Sequence, residues 1–246
     1  MSDAIATVLA RYPKPRPVLP QAYQRIYERE YKMNREGGSF ITGISSGLEA
    51  WMHRQVADAP ADDVLEIGAG TLNQLQYEAP QKRYDVVEPF SALYKDSPAL
   101  FKIGNVYADI ADIPEGQTYG RITSVAVLEH LDDLPGVVAR SALLLRDDGV
   151  FQAGIPSEGG FLWTLAWRTT TGVAYWLRNR LDYGVLMRHE HLNTAAEIET
   201  VVRNFFDDVV VTRFPLPFRQ MSFYSYVMAR RPRRDRAAPY LADRPS

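Results

Sequence analysis

Two glycines, Gly68 and Gly70, stand at the end of a short apolar run, Asp63 to Ile67, and Glu88 follows 20 residues after Gly68, at the end of a second run, Tyr84 to Val87. A turn without side chains lets the backbone leaving a strand approach a ligand closely, and a carboxylate at that spacing can accept from both hydroxyls of a ribose. Together these features point to a nucleoside-containing ligand. A dinucleotide fingerprint needs a glycine at its sixth position, where this chain has Asn73, so a nicotinamide cofactor is the weaker alternative. The second group of candidates is imidazoles. His130 closes the segment Ser124 to Leu131, where it can remove a proton or position a reacting group. His189, Glu190 and His191 invite a metal, but two imidazoles on one strand or loop, with no evident third ligand, do not complete a site. No metal is expected.

The segment Val64-Leu65-Glu66-Ile67-Gly68-Ala69-Gly70-Thr71 resembles the first motif of class I S-adenosylmethionine (SAM)-dependent methyltransferases. Ser124-Val125-Ala126-Val127-Leu128-Glu129-His130-Leu131 resembles the fourth-strand segment of the same superfamily, in which a Leu-Glu-His-Leu sequence is frequent. The resemblance covers residues 60–156 well and a terminal hairpin loosely; it says little about the first 50 residues or about 157–190. It implies a SAM site lined by Glu66, Gly68, Ala69, Gly70, Glu88, Pro89, Asp109, Ile110 and Ala126. Glu66 would help hold the methionine end, Glu88 the ribose and Asp109 the adenine amino group, with Ile110 packed on the ring and the backbone near Ala126 bordering the sulfonium. The family often has a third glycine where this chain has Leu72. SAM carries no phosphate, so its loop depends less on a dense glycine nest. Methyl transfer from a sulfonium is an in-line displacement that mainly requires alignment and desolvation, so His130 is either a general base or a positioning group.

These residues need a scaffold to converge. Short branched runs at Asp63–Ile67, Tyr84–Val87, Val106–Ala108, Ile122–Val125 and Val150–Ile155 are expected as buried strands. Leu134, Val137, Val138, Ala142 and Leu145 recur at helical spacing between the last two, and Asp147-Asp148-Gly149 marks a turn. Alternation of strand and helix implies right-handed crossovers and a mostly parallel sheet. A helix through Ile198, Val201, Val202 and Phe205, then runs at Val209–Thr212 and Phe223–Ala229 without a helix between them, predict a terminal antiparallel hairpin. The expected fold is thus α/β: a Rossmann-like, mostly parallel seven-stranded sheet with a C-terminal antiparallel hairpin and a helical cap.

The division expected along the chain is an N-terminal linker and helical cap (1–58), a SAM-binding core (59–156), an acceptor-side insertion (157–190), a helix and hairpin completing the core (191–230), and a flexible basic tail (231–246). Pro13, Pro15, Pro17 and Pro20 make the lead-in extended, and helices are expected over Gln21–Met33 and from about Ser46 to Ala57. The insertion holds Trp163, Trp176 and Arg178, which, with Tyr31 and His189, are the candidates for contact with the acceptor: aromatic faces to stack on a ring and cations to anchor an anionic group.

Composition narrows the classes. Hydrophobic residues are 46% and charged residues 24%, the balance of a folded domain. The net charge of -2 makes nucleic acid an unexpected partner, and Arg230, Arg231, Arg233, Arg234 and Arg236 carry no recognisable nucleic-acid motif. The absence of cysteine excludes disulfides, thiolate ligands and cysteine nucleophiles. No signal segment is visible, so a cytoplasmic protein is expected; the apolar stretch Phe161–Met187 is broken by charges and is not expected to insert stably in a membrane. The expected function is methylation of oxygen or nitrogen on a small molecule, a saccharide or specialised metabolite before a protein. A binding or scaffold protein on the same fold and a nicotinamide-dependent oxidoreductase are the alternatives. The oligomeric state is open.

Overall fold

The computed structural model describes residues 3–27, 43–59 and 61–243. Seven strands form one sheet: β1 (Asp63–Ile67), β2 (Arg83–Val87), β3 (Val106–Tyr107), β4 (Tyr119–Val125), β5 (Leu145–Pro156), β6 (Phe206–Pro215) and β7 (Ser222–Pro232). Their order is β3-β2-β1-β4-β5-β7-β6, with β1 to β5 parallel and β7 antiparallel to both β5 and β6. This is the expected seven-stranded, Rossmann-like sheet with a terminal hairpin. Central β4 is buried on both faces over nearly its whole length, because helices cover both sides of a parallel sheet. The expected turn at Asp147-Asp148-Gly149 falls within β5 instead. There the pairing jumps from Tyr119–Leu145 to Arg121–Val150, so the extra residues bulge out of the ladder without ending the strand.

A short helix, α4 (Ser91–Tyr94), follows β2, and one face of the sheet carries α5 (Leu134–Leu144) and α9 (Ala195–Phe205). Asp133 caps α5 by accepting from Gly136, and Thr194 with Glu197 forms a capping box on α9. Ile198, Val201, Val202 and Phe205 share one fully buried face of α9, and each contributes about 1.5–3 kcal/mol by leaving water. On the opposite face, α3 (Gly43–Ala57) lies so close to β5 that a Cβ on Gly154 would sit 2.8 Å from Met52 Cβ. Only glycine permits that approach. Arg121, fully buried on β4, donates to the carbonyls of Val56 and Ala59 and pairs with Glu78, which ties the end of α3 to the sheet.

At the N-terminus, α1 (Asp3–Leu9) packs on the same core as α9, and the proline-rich lead-in is extended as expected but pinned. Tyr12 donates to Asn193, Lys14 to the Leu192 carbonyl and Glu197, and Arg16 to the carbonyls of His189 and His130. Residues 21–27 then form α2. The insertion is built of helices: α6 (Phe161–Trp167), one π turn (Arg168–Gly172), α7 (Val173–Asn179) and α8 (Tyr183–Glu190). Leu19 and Tyr23 bury against Tyr175 and Leu186 of this cap. Among the described residues no helix is long and apolar enough to cross a membrane.

The flexible basic tail expected at 231–246 is corrected. Strand β7 runs to Pro232, and residues Arg234–Ala242 form α10 against α5 and α9. Ala237 is fully buried and Tyr240 meets Phe205 edge-on, with ring centroids 5.4 Å apart. Ala237, Tyr240 and Leu241 stand at i, i+3 and i+4, the spacing of one helical face. The arginines at its start are half-buried and paired, Arg233 with Asp207 and Arg234 with Asp147.

Candidate functional site

The glycine turn leaves β1 as the spacing requires. Gly68 and Gly70 take φ of +71° and +51°, values that glycine adopts without steric cost. A Cβ on Gly68 would fall 2.4 Å from Val127 Cγ2, so the turn is in contact with the segment that follows β4. A Cβ on Gly70 would meet nothing within 4 Å; that side of the turn faces open space. Leu72, where the family often has glycine, keeps glycine's conformation at φ +67° with its side chain buried. The left-handed backbone costs about 1–2 kcal/mol, and burial of the leucine offsets it.

Glu88 is buried at the end of β2 and accepts from the backbone N–H of Gly70 at 2.8 Å and of Phe90 at 2.9 Å. Each carboxylate oxygen retains a second lone pair. Pro89 beside it is exposed, and Ala69 is buried. Glu66 is buried one residue before the turn and accepts from Tyr84 Oη at 2.8 Å. Burial pushes its carboxyl up to about 8 and outweighs that hydrogen bond. Asp109 is exposed after β3 and caps a short turn by accepting from Ala111, while Ile110 is buried in the main core.

At the end of β4, Ala126 takes φ +53°, a left-handed conformation uncommon for alanine, while its N–H stays bonded to the Gly154 carbonyl at 2.8 Å. The chain there turns off the sheet into a single 3-10 turn, Leu128–His130. Asn193, fully buried, holds that turn by donating to the carbonyls of Leu128 and Leu131. Leu192 and Asn193 also donate their N–H groups to the Glu129 carbonyl. These bonds bring His191 to His130, their rings edge-to-face with centroids 4.9 Å apart. Glu129 is almost wholly buried, with Oε1 3.7 Å from His130 Nε2, and burial pushes its carboxyl up to about 7.

Both imidazoles are oriented from behind. His130 Nδ1 lies 2.8 Å from the Glu190 carbonyl, and His191 Nδ1 lies 2.8 Å from Glu158 Oε2. Carbonyl and carboxylate oxygens only accept, so each Nδ1 carries the hydrogen. Glu158 is held in turn by Trp163 Nε1 at 2.7 Å. Burial pushes Glu158 up, but the bonds from His191 and Trp163 outweigh it and hold the carboxyl below its ordinary range. His191 and Glu158 line a cleft of about 590 Å³, whose wall also includes Trp167, Trp176, Tyr183, Met187 and Arg188.

The sequence matches no protein-family profile and no curated protein. Solved structures do match. The 1,6-didemethyltoxoflavin-N1-methyltransferase of Burkholderia thailandensis, determined with 1,6-didemethyltoxoflavin and S-adenosylhomocysteine, superposes with a TM-score of 0.53 at 17% identity, over 89% of this chain and 92% of that one. The N-methyltransferase NodS of Bradyrhizobium japonicum WM9, in complex with S-adenosylhomocysteine, gives 0.52 at 13% identity, over 94% and 98%. An O-methyltransferase family protein of B. thailandensis gives 0.51 at 15% identity over 76% of this chain, which spans only 56% of that protein's length. The fold is that of class I SAM-dependent methyltransferases.

Within this methyltransferase fold, the residues singled out for the cofactor fall into two groups. Glu66, Gly68, Ala69, Gly70, Glu88 and Pro89 gather at the carboxyl ends of β1 and β2, whereas Asp109, Ile110 and Ala126 follow β3 and β4. The residues expected at the acceptor separate further. Trp176 lines the cleft; Trp163 reaches it only through Glu158; Arg178 is exposed on α7 outside the cleft lining; Tyr31 lies outside the described residues. His189 points away from His191, because both it and Glu190 belong to the last turn of α8 and the chain leaves the helix at His191. It packs on Tyr27 and bonds to the Pro17 carbonyl. His191 instead comes to stand beside His130 and Glu129, from another part of the chain. Glu158 and Asn193 went unnoticed in the sequence, since nothing in their local spacing sets them apart.

Proposed function

We propose that this chain is a SAM-dependent methyltransferase that methylates oxygen or nitrogen of a small molecule, a saccharide or specialised metabolite in preference to a protein. The observation that carries the reading is Glu88 bridged to the Gly70 amide beside open space, with Gly68 packed directly on Val127. One contact thus couples a ribose-type carboxylate and its glycine turn to the polar cluster on the acceptor side. The structural neighbours determined with S-adenosylhomocysteine, one of them also with 1,6-didemethyltoxoflavin, support the same cofactor and a small-molecule acceptor.

SAM supplies a methyl carbon already activated by its sulfonium. The chain's part is to hold that cofactor and to exclude water around the acceptor. Glu88 has lone pairs left for ribose hydroxyls, and Glu66, Gly68, Ala69, Gly70 and Pro89 surround the turn. Asp109 and Ile110 serve the adenine, and Ala126 borders the reacting centre. His130 is the catalytic group of this reading, and His191 and Trp176 face the acceptor in the cleft. Trp163 is a positioning residue that acts through Glu158.

Calorimetry with S-adenosylhomocysteine should show saturable binding and none of comparable strength for NAD or NADP. Glu88→Ala should weaken that binding by about 1–3 kcal/mol through loss of hydrogen bonds to a charged acceptor. Tight nicotinamide binding without S-adenosylhomocysteine binding would overturn the assignment.

A further inference from the structure

We infer that Glu129, His130 and His191 form a binding site for one first-row divalent transition-metal ion. The inference stands on the geometry of the cluster and goes beyond the methyl-transfer reading. One ligand atom from each residue lies within 4.8 Å of the others, the group of this kind found among the described residues. Glu129 Oε2 is enclosed by protein and accepts no hydrogen bond. A buried carboxylate oxygen without a partner is costly, and a cation in the cluster would satisfy it.

The surroundings are those of a ligand set. Each imidazole gives its Nδ1 hydrogen to a fixed oxygen, the Glu158 carboxylate or the Glu190 carbonyl, leaving Nε2 as the nitrogen available to an ion. Histidines that bind metals are oriented in this way, by carboxylate or carbonyl partners behind the ring. Here the carboxylate is itself anchored by Trp163. Two imidazoles and one carboxylate suit zinc, iron, cobalt or nickel better than magnesium or calcium, which prefer oxygen throughout. Metal–ligand bonds of about 2.0–2.2 Å place tetrahedral ligands about 3.4 Å apart, so the cluster must contract. His130 has 34% of its side chain exposed, so packing does not hold its ring on every side. Three protein ligands leave a coordination position open, and His191 places it at the cleft. Ligation also requires neutral imidazoles, which would make His130 a ligand and not a proton acceptor.

The test is a titration of the metal-stripped 246-residue chain with Co²⁺, read by visible absorption and by competition with Zn²⁺, with S-adenosylhomocysteine calorimetry alongside. One equivalent of Co²⁺ is expected, with the intense bands of a low-coordinate ion. Glu129→Gln and His191→Ala should weaken Co²⁺ binding by roughly 100-fold or more, and Glu158→Gln, which removes only the support behind His191, by roughly 10–100-fold. Circular dichroism verifies that each variant is folded; should one of the ligand variants fail to fold, the Glu158→Gln titration decides. Absence of stoichiometric Co²⁺ and Zn²⁺ binding by the folded wild-type chain would overturn the inference, as would equal affinity in wild type and variants. Metal binding without S-adenosylhomocysteine binding supports the site and removes the methyl-transfer reading. The converse removes the site alone.

Discussion

Glu66→Gln should remove a large part of the protein's loss of stability at rising pH. Unfolded, Glu66 loses its proton near its ordinary value of 4.5, whereas in the fold burial pushes it up to about 8. Between those values the folded chain holds a proton that the unfolded chain has released, so stability falls as pH rises and levels off above the folded value. Within that window the slope is about 1.4 kcal/mol per pH unit, or about 2.7 kcal/mol between pH 5.5 and 7.5. A glutamine has nearly the shape of the protonated carboxyl, still accepts from Tyr84, and does not titrate. Glu129, also raised by burial, tilts both proteins alike and cancels in the comparison. Urea denaturation at half-unit pH steps should therefore show wild type and variant equally stable near pH 4.5, with the variant ahead by several kcal/mol near pH 8. Parallel curves across that range would refute the placing of a protonated Glu66 in the folded state.

Two further outcomes follow from the packing. Gly68→Ala forces alanine into left-handed backbone, at about 1–2 kcal/mol, and against Val127, so both urea stability and S-adenosylhomocysteine affinity should fall; Gly70→Ala carries the same backbone cost but meets no protein atom, so it should lose less stability than Gly68→Ala while still losing affinity, and an unaltered affinity there would mean that nothing binds over the turn. Glu78→Ala leaves the buried Arg121 guanidinium without its counter-charge and should cost about 3–5 kcal/mol in urea unfolding; a loss under 1 kcal/mol would show that the carbonyls of Val56 and Ala59 suffice.

The elements that the sequence by itself determined are those governed by neighbours in the chain. The glycine turn after β1, Glu88 one strand later, the alternation of strand with helix and the final hairpin all follow from short-range periodicity and from the backbone freedom of glycine. The same logic shows where reading by local pattern stops. At Leu72 a leucine stands where the fold calls for glycine's conformation, and only the buried environment of its side chain explains why the turn survives. In α10 the apolar face was present in the spacing of Ala237, Tyr240 and Leu241, but the arginines just before them gave the segment the composition of a tail; the acids that pair with Arg233 and Arg234, Asp207 and Asp147, come from distant segments.

The acceptor-side cluster depended wholly on tertiary structure. His130 and His191 are separated by the whole of α5, β5 and the helical cap. Their meeting depends on Asn193 bridging to the turn after β4, on Glu158 and Trp163 behind His191, and on Arg16 tying the His130 carbonyl to the His189 carbonyl at the end of α8. His189 shows the reverse: its neighbour in sequence two positions on is not its neighbour in space, because the end of α8 sends the two rings in different directions. Backbone conformation is set by adjacent residues and can be recognised in them. The gathering of polar side chains is set by which helices pack where, and that is settled by the burial of apolar surface across the whole chain, which no local spacing records.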